Sequence, residues 1–153
     1  MWGNALIIDR VVSPPDVDSL CAKEEDTLVL PWEQRRWARG RFTTTKGRKI
    51  GIALPTGTLL SPGAIVWIEP DWYLRIVGAA ENVIEIFPSS HEQALRIAFE
   101  VGNLHYPLSL GENKLIVPDE KTMIRLLDKL GARWEKTKAV FDPIANTQSH
   151  LHG

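Results

Sequence analysis

The sequence predicts an α+β chain in two domains: a small all-β sandwich or barrel over residues 1–77, a βαββαβ domain over 78–143, and a flexible tail at 144–153. Three observations predict it. Up to about residue 77, short β-rich runs are separated by glycine and proline every few residues, which suits a small all-β unit. From residue 81 on, two amphipathic helical runs each sit between strand-like runs. The last residues, from Asp142, carry no core pattern. A chain of 153 residues with 44% hydrophobic content can build such cores.

In the first half, Ala5 to Ile8 is a short apolar run, closed by Pro14 and Pro15. Residues 16–26 are acidic and read as loop. Thr27 to Leu30 is a strand ended by Pro31, and Trp32 to Ala38 a short turn. Arg41–Thr45 and Lys49–Leu54 form a hairpin about Lys46-Gly47, with Ile50, Ile52 and Leu54 on one face. Further strands are expected at Ile65–Ile68 and Tyr73–Val77, with Gly78-Ala79-Ala80 as a hinge.

In the second half, Val83–Phe87 alternates as a strand. Ser89 and Glu92 have the spacing of a capping box, so a helix should start there and run to about Val101. Gly102 and Asn103 are residue types that accept the left-handed backbone of a helix stop. Leu95, Ala98, Phe99 and Gly102 make one apolar face of this helix; Ala94, Ile97 and Val101 make another beside it. Two apolar faces call for two neighbours: the domain's own sheet and a partner subunit. Tyr106–Leu110 and Lys114–Val117 read as a hairpin. Asp119 opens a second helix carrying Met123, Leu126, Leu127 and Leu130, Gly131 ends it, and Ala132–Phe141 is the last strand. This is the split βαββαβ order of a ferredoxin-like domain.

Composition narrows the function. Net charge is −1, which gives no reason to expect nucleic acid or a membrane. No apolar run is long enough to span a bilayer. The single Cys21 rules out an internal disulfide framework and predicts a soluble cytoplasmic protein. Residues 35–49 nevertheless hold seven basic side chains and no acid. They are either a solvated hairpin, a surface for an acidic partner, or an RNA-binding module using Trp32, Trp37 and Phe42. No nucleophile stands with a base at motif spacing, so an enzyme is not expected.

Four histidines remain. His91 falls in the first turn of a helix, where positive charge is disfavoured, and reads as a surface residue. His105 stands on a corner pinned by Pro107, and His150 and His152 stand i, i+2 in the tail. One chain offers too few ligands for a closed four-ligand site. A two-fold dimer would bring two copies of His105 together, and tail histidines could complete the shell. Imidazole ligands suit Ni, Cu or Zn without choosing between them.

The stretch Gly102 to Leu108, GNLHYPL, resembles the G-N-x-H-x-P-L signature of the urease accessory protein UreE family, and GRKIGIALPTGTLLSPGAIV at 47–66 is similar to that family's β-rich N-terminal domain. The resemblance implies a cytoplasmic homodimer, not an enzyme, that binds nickel and delivers it during urease active-site assembly with the urease apoprotein complex and an accessory GTPase. It implies that His105 is a metal ligand at the dimer interface, that His150 and His152 are tail ligands, and that the N-terminal domain binds a partner or peptide. Some members carry an extra histidine pair before the second helix; here that region reads LIVPDEK, so that site should be missing. Thr56 and Ala64 stand where basic and acidic residues are common in the family.

Overall fold

The structure, a computed structural model, describes residues 5–10, 12, 15–37 and 39–144. The chain divides into two compact units, Met1–Ala79 and Ala80–Gly153.

The first unit contains β1 (Leu6–Ile8), α1 (Val17–Leu20), β2 (Glu24–Leu30), α2 (Trp32–Trp37), β3 (Arg39–Thr43), β4 (Lys49–Ala53), β5 (Ile65–Ile68) and β6 (Trp72–Gly78). They form two three-stranded sheets, ordered β1-β4-β3 and β2-β6-β5. Each sheet has one antiparallel hairpin and one strand added in parallel, β1 to β4 and β2 to β6. Ile8, Ile50 and Ile52 from one sheet meet Leu28, Leu30, Leu74 and Ile76 from the other in a single buried core. The unit is therefore a β-sandwich. The alternation of Ile50, Ile52 and Leu54 supplies its inward face.

The acidic stretch read as loop is partly ordered. Asp16 caps α1, accepting the Asp18 N–H, and β2 begins already at Glu24. Acids are poor strand formers, but these three are each answered. Glu24 pairs with Lys46 at 2.7 Å, and Glu25 pairs with Arg75 and accepts from the Tyr73 hydroxyl. Asp26 is buried and accepts from Thr44 Oγ1 at 2.6 Å, Arg48 Nη1 at 2.8 Å, and the N–H groups of Lys46 and Thr27. It ties the β3–β4 turn to β2. Burial pushes the Asp26 carboxyl up, but the Thr44, Arg48 and backbone bonds outweigh that and hold it below the ordinary value.

A depressed carboxyl fixes the sign of a pH effect. As pH falls, the unfolded chain takes up this proton first. The stabilisation is complete above about pH 4, the ordinary carboxyl value, and is lost as pH falls through the lower folded value. Asp26→Ala leaves buried donors without an acceptor and should cost about 3 kcal/mol. Thermal melts at pH 7 measure that loss. Acid titrations followed by tryptophan fluorescence, which Trp72 under the Arg48 guanidinium should report, should show less acid sensitivity below pH 4 in the variant.

The second unit runs β7 (Ala80–Phe87), α3 (His91–Asn103), β8 (Ser109–Gly111), β9 (Lys114–Pro118), α4 (Lys121–Lys129) and β10 (Arg133–Val140). Its sheet order is β10-β7-β9-β8 with every neighbour antiparallel. This is the ferredoxin-like arrangement. Ile97 and Val101 of α3 and Met123 and Leu127 of α4 pack on Ile84, Ile86, Leu115 and Val117 of the sheet. The capping box of α3 sits one residue later than the sequence suggests. Ser90 Oγ accepts the Gln93 N–H, and Gln93 Oε1 accepts from Ser89 N–H. Two serines in a row and a glutamine beside Glu92 offer both registers. Glu120, not Asp119, occupies the N-cap of α4, without a side-chain cap bond. Strand β8 is shorter than the expected 106–110, in keeping with Pro107, which has no N–H to give a ladder.

Candidate metal centre

α3 does not stop at Gly102. It continues through Asn103, and Leu104 is its C-cap. The left-handed residue is His105 itself, with φ +62°. Its N–H donates to Gly102 O at 3.0 Å, and the Tyr106 N–H donates to Val101 O at 3.2 Å. These two bonds make a Schellman closure. α4 ends in the same way: Gly131, φ +66°, donates to Asp128 O, and Ala132 to Leu127 O. One helix thus spends a glycine on this position and the other a histidine. A residue with a Cβ pays about 1 kcal/mol there. The expectation that Gly102 or Asn103 takes the left-handed role is corrected: both stay helical, and the turn is made where the imidazole projects.

The corner is held on its far side. Tyr106 and Leu108 pack against the second core. The Ile144 N–H donates to Leu108 O at 2.8 Å, and Ser109 Oγ donates to Asp142 O at 3.0 Å. Phe141 and Pro143 are buried. Residues 142–144 are therefore docked, although the sequence shows no core pattern there. Phe141 and Pro143 alternate inward, a signal two residues long.

His105 is exposed. Leading to it along α3 is an apolar stripe that the second core does not cover: Leu95 is 59% and Phe99 68% exposed. Gly102 continues the stripe with open space where a Cβ would stand. Ile97 and Val101 face inward, so the two apolar faces read from the sequence are separated as expected.

Of the other predicted ligands, His91 is exposed at the first residue of α3. The helix rise puts it about 20 Å from His105, so the two cannot share an ion within one chain. His150 and His152 lie outside the described residues. Among the described residues, no three His, Cys, Asp or Glu side chains cluster as a metal cage. Among the described residues, the imidazole of His105 stands alone on this corner beside the apolar stripe.

The profile of the UreE urease accessory protein N-terminal domain matches residues 8–79, and that of the C-terminal domain matches residues 81–153. The chain belongs to the UreE urease accessory protein family. It is 28% identical over 151 residues to the urease accessory protein UreE of Cupriavidus necator, covering 97% of this chain and 79% of the relative. It is 34% identical over 104 residues to that of a Synechococcus species, covering 68% and 70%. It is 30% identical over 129 residues to that of Burkholderia lata, covering 83% and 62%. The UreE C-terminal match contains the whole of the His105 corner and the α3 stripe.

The cationic segment looks different once folded. Arg35 is fully buried, with Nε donating to Leu30 O. Arg48 is engaged by Asp26 and lies over the Trp72 ring, and Lys46 pairs with Glu24. Three of the seven cations are therefore structural. Trp67 and Trp72 pack against the first core, whereas Trp37 is 66% exposed. No helix among the described residues is long and apolar enough to cross a membrane.

Proposed function

We propose that this chain carries nickel at a seam between two copies of itself, with His105 of each facing the other across a two-fold axis and His150 and His152 completing the shell. As a UreE family member it is a urease accessory protein, a non-catalytic nickel chaperone of urease maturation. Its delivery partners in this reading are the urease apoprotein complex and the accessory GTPase, met in the cytoplasm. The 78–143 domain holds the metal and the 1–77 domain receives a partner.

One observation carries the site assignment. His105 occupies a left-handed cap that glycine fills in the sister helix, and strain kept at an exposed histidine is a mark of use. The apolar stripe beside it supports a second copy as neighbour, since a two-fold axis would double both stripe and imidazole. The tail has the reach to help. Ile144 is tied beside Leu108, and the six residues from there to His150 span up to about 20 Å when extended. Few ligands would suit a carrier, which must release its cargo.

Calorimetric nickel titration of the full chain and of a chain cut after Asn146 tests the ligand set. The cut chain should keep the same stoichiometry but bind at least about tenfold more weakly, a cost that even outer-shell partners of a metal carry. Unchanged affinity would remove His150 and His152 from the site. Copper and zinc competition in the same cell measures selectivity, which imidazoles alone do not set.

A further inference from the structure

Among the described residues, β3 pairs only with β4 and so stands at the edge of its sheet, where backbone donors and acceptors are able to take an added strand. Two grooves flank that edge and share Arg39, Gly40 and Arg41. The first lies on the outer face of the β1-β4-β3 sheet, with a volume of about 350 Å³. Register places Ile7, Gly51 and Arg41 in one row across that face, and Arg39 beside Ala53 in the next. Gly51 and Ala53 make a low floor. Arg39 and Arg41 form one wall and Ile7, 55% exposed, the other. A Cβ on Gly51 would stand 2.7 Å from Ile7 Cδ1, so the tip of the Ile7 side chain lies over this glycine. Lys49 continues the cationic row opposite Thr43. The second groove, about 370 Å³, lies on the Phe42 side of the strand and is lined by Trp37, Phe42 and Glu33.

We propose that the β3 edge docks an extended acidic segment of a partner protein as an added strand. Side chains of a strand alternate between faces, so alternate residues of such a segment lie beside Arg39 and Arg41 on the outer face and beside Phe42 on the other. Carboxylates facing outward meet the guanidinium groups of Arg39 and Arg41, which suit paired recognition of carboxylates. The residues between them face Trp37 and Phe42, where Glu33 would repel a carboxylate and the rings favour an apolar side chain. Gly40 stands between the two arginines at φ +145°, with the Phe42 ring 3.0 Å from where a Cβ would stand. RNA fits less well, because Arg35 is buried, Arg48 is held by Asp26, and Lys46 is paired with Glu24 at the surface. The proposal rests on the partner-binding role given above to the first unit and is independent of His105.

The test uses the full chain and a fluorescein-labelled nine-residue peptide alternating glutamate with valine. A lysine–valine peptide and a ten-nucleotide oligouridine RNA serve as rivals. Anisotropy should show binding of the acidic peptide alone, weakened at least tenfold by Arg39→Glu/Arg41→Glu and by raised salt. Hydrogen exchange should show slowed amides at alternate β3 residues when the peptide is bound, which a purely electrostatic contact would not produce. If the charge reversal unfolds the sandwich, Arg39→Gln/Arg41→Gln replaces it, with the same loss expected. No binding of the acidic peptide, binding unchanged in the variant, unslowed β3 amides or preference for RNA each overturns the proposal. Nickel titration of the same samples separates the two readings: intact nickel binding with lost peptide binding leaves the metal site standing.

Discussion

His105→Gly is expected to make the protein more stable and useless as a nickel carrier. The residue sits at φ +62° in a Schellman closure whose counterpart in the sister helix is Gly131. Glycine adopts that backbone without the Cβ clash, so the change should return about 1 kcal/mol to the second unit, less a few tenths for the greater freedom of its unfolded chain. The imidazole is exposed, so nothing in the core is lost with it. Denaturant or thermal melts read the gain, and nickel titration should show tight binding abolished. His105→Ala separates the two effects, because alanine keeps the strain and removes the ligand: binding is lost with no gain in stability. A destabilised glycine variant would mean that the corner is held by contacts of the imidazole rather than by its backbone, and the trade between cap and cargo would be wrong.

Phe99→Lys is expected to separate the two copies without harming either. Phe99 is 68% exposed, and Leu95 precedes it by one helical turn on the same stripe. In one chain a lysine there should change stability by less than about 0.5 kcal/mol, the usual range for surface substitutions. In the proposed dimer the same residue would meet the seam from both sides of the two-fold axis. Losing a buried aromatic anchor costs about 2 kcal/mol or more, so the dimer should dissociate at least about 30-fold more readily, and two facing ammonium groups add to that. Analytical ultracentrifugation over a concentration series reads the shift. Nickel affinity should fall in parallel although His105 is untouched, since the site needs both copies. A variant that remains as dimeric as the parent would place the interface elsewhere.

The fold was legible where burial is periodic. Ile50, Ile52 and Leu54 announce a strand, Ile97 and Val101 a helix face, and the alternation of strand and helix types gives the βαββαβ order. What escaped has local physical causes. The start of β2 was hidden because Glu24, Glu25 and Asp26 are unfavourable strand residues by themselves; only their partners Lys46, Arg75, Thr44 and Arg48, distant in sequence, make them tolerable. The cationic segment was overread for the same reason, as Arg35 and Arg48 turned out to be structural. At the candidate metal centre, the motif singles out His105 as a candidate ligand, but the geometry of its corner was not legible. Gly102 and Asn103 are better left-handed residues by propensity, and the helix passes through both. Inward phasing of Ile97 and Val101 does not by itself decide where a helix ends; the docking of Tyr106 and Leu108 in the second core moves the stop two residues on.

In the proposed site one His105 is insufficient and two are required. Native mass spectrometry of an equimolar mixture of the parent chain and His105→Gly, equilibrated with limiting nickel, tests it most directly. The two chains differ in mass, so parent, mixed and variant dimers are resolved. Parent dimers should carry one nickel, and mixed or variant dimers should hold none. Mixed dimers that load like the parent, or monomers that each carry an ion, would contradict it.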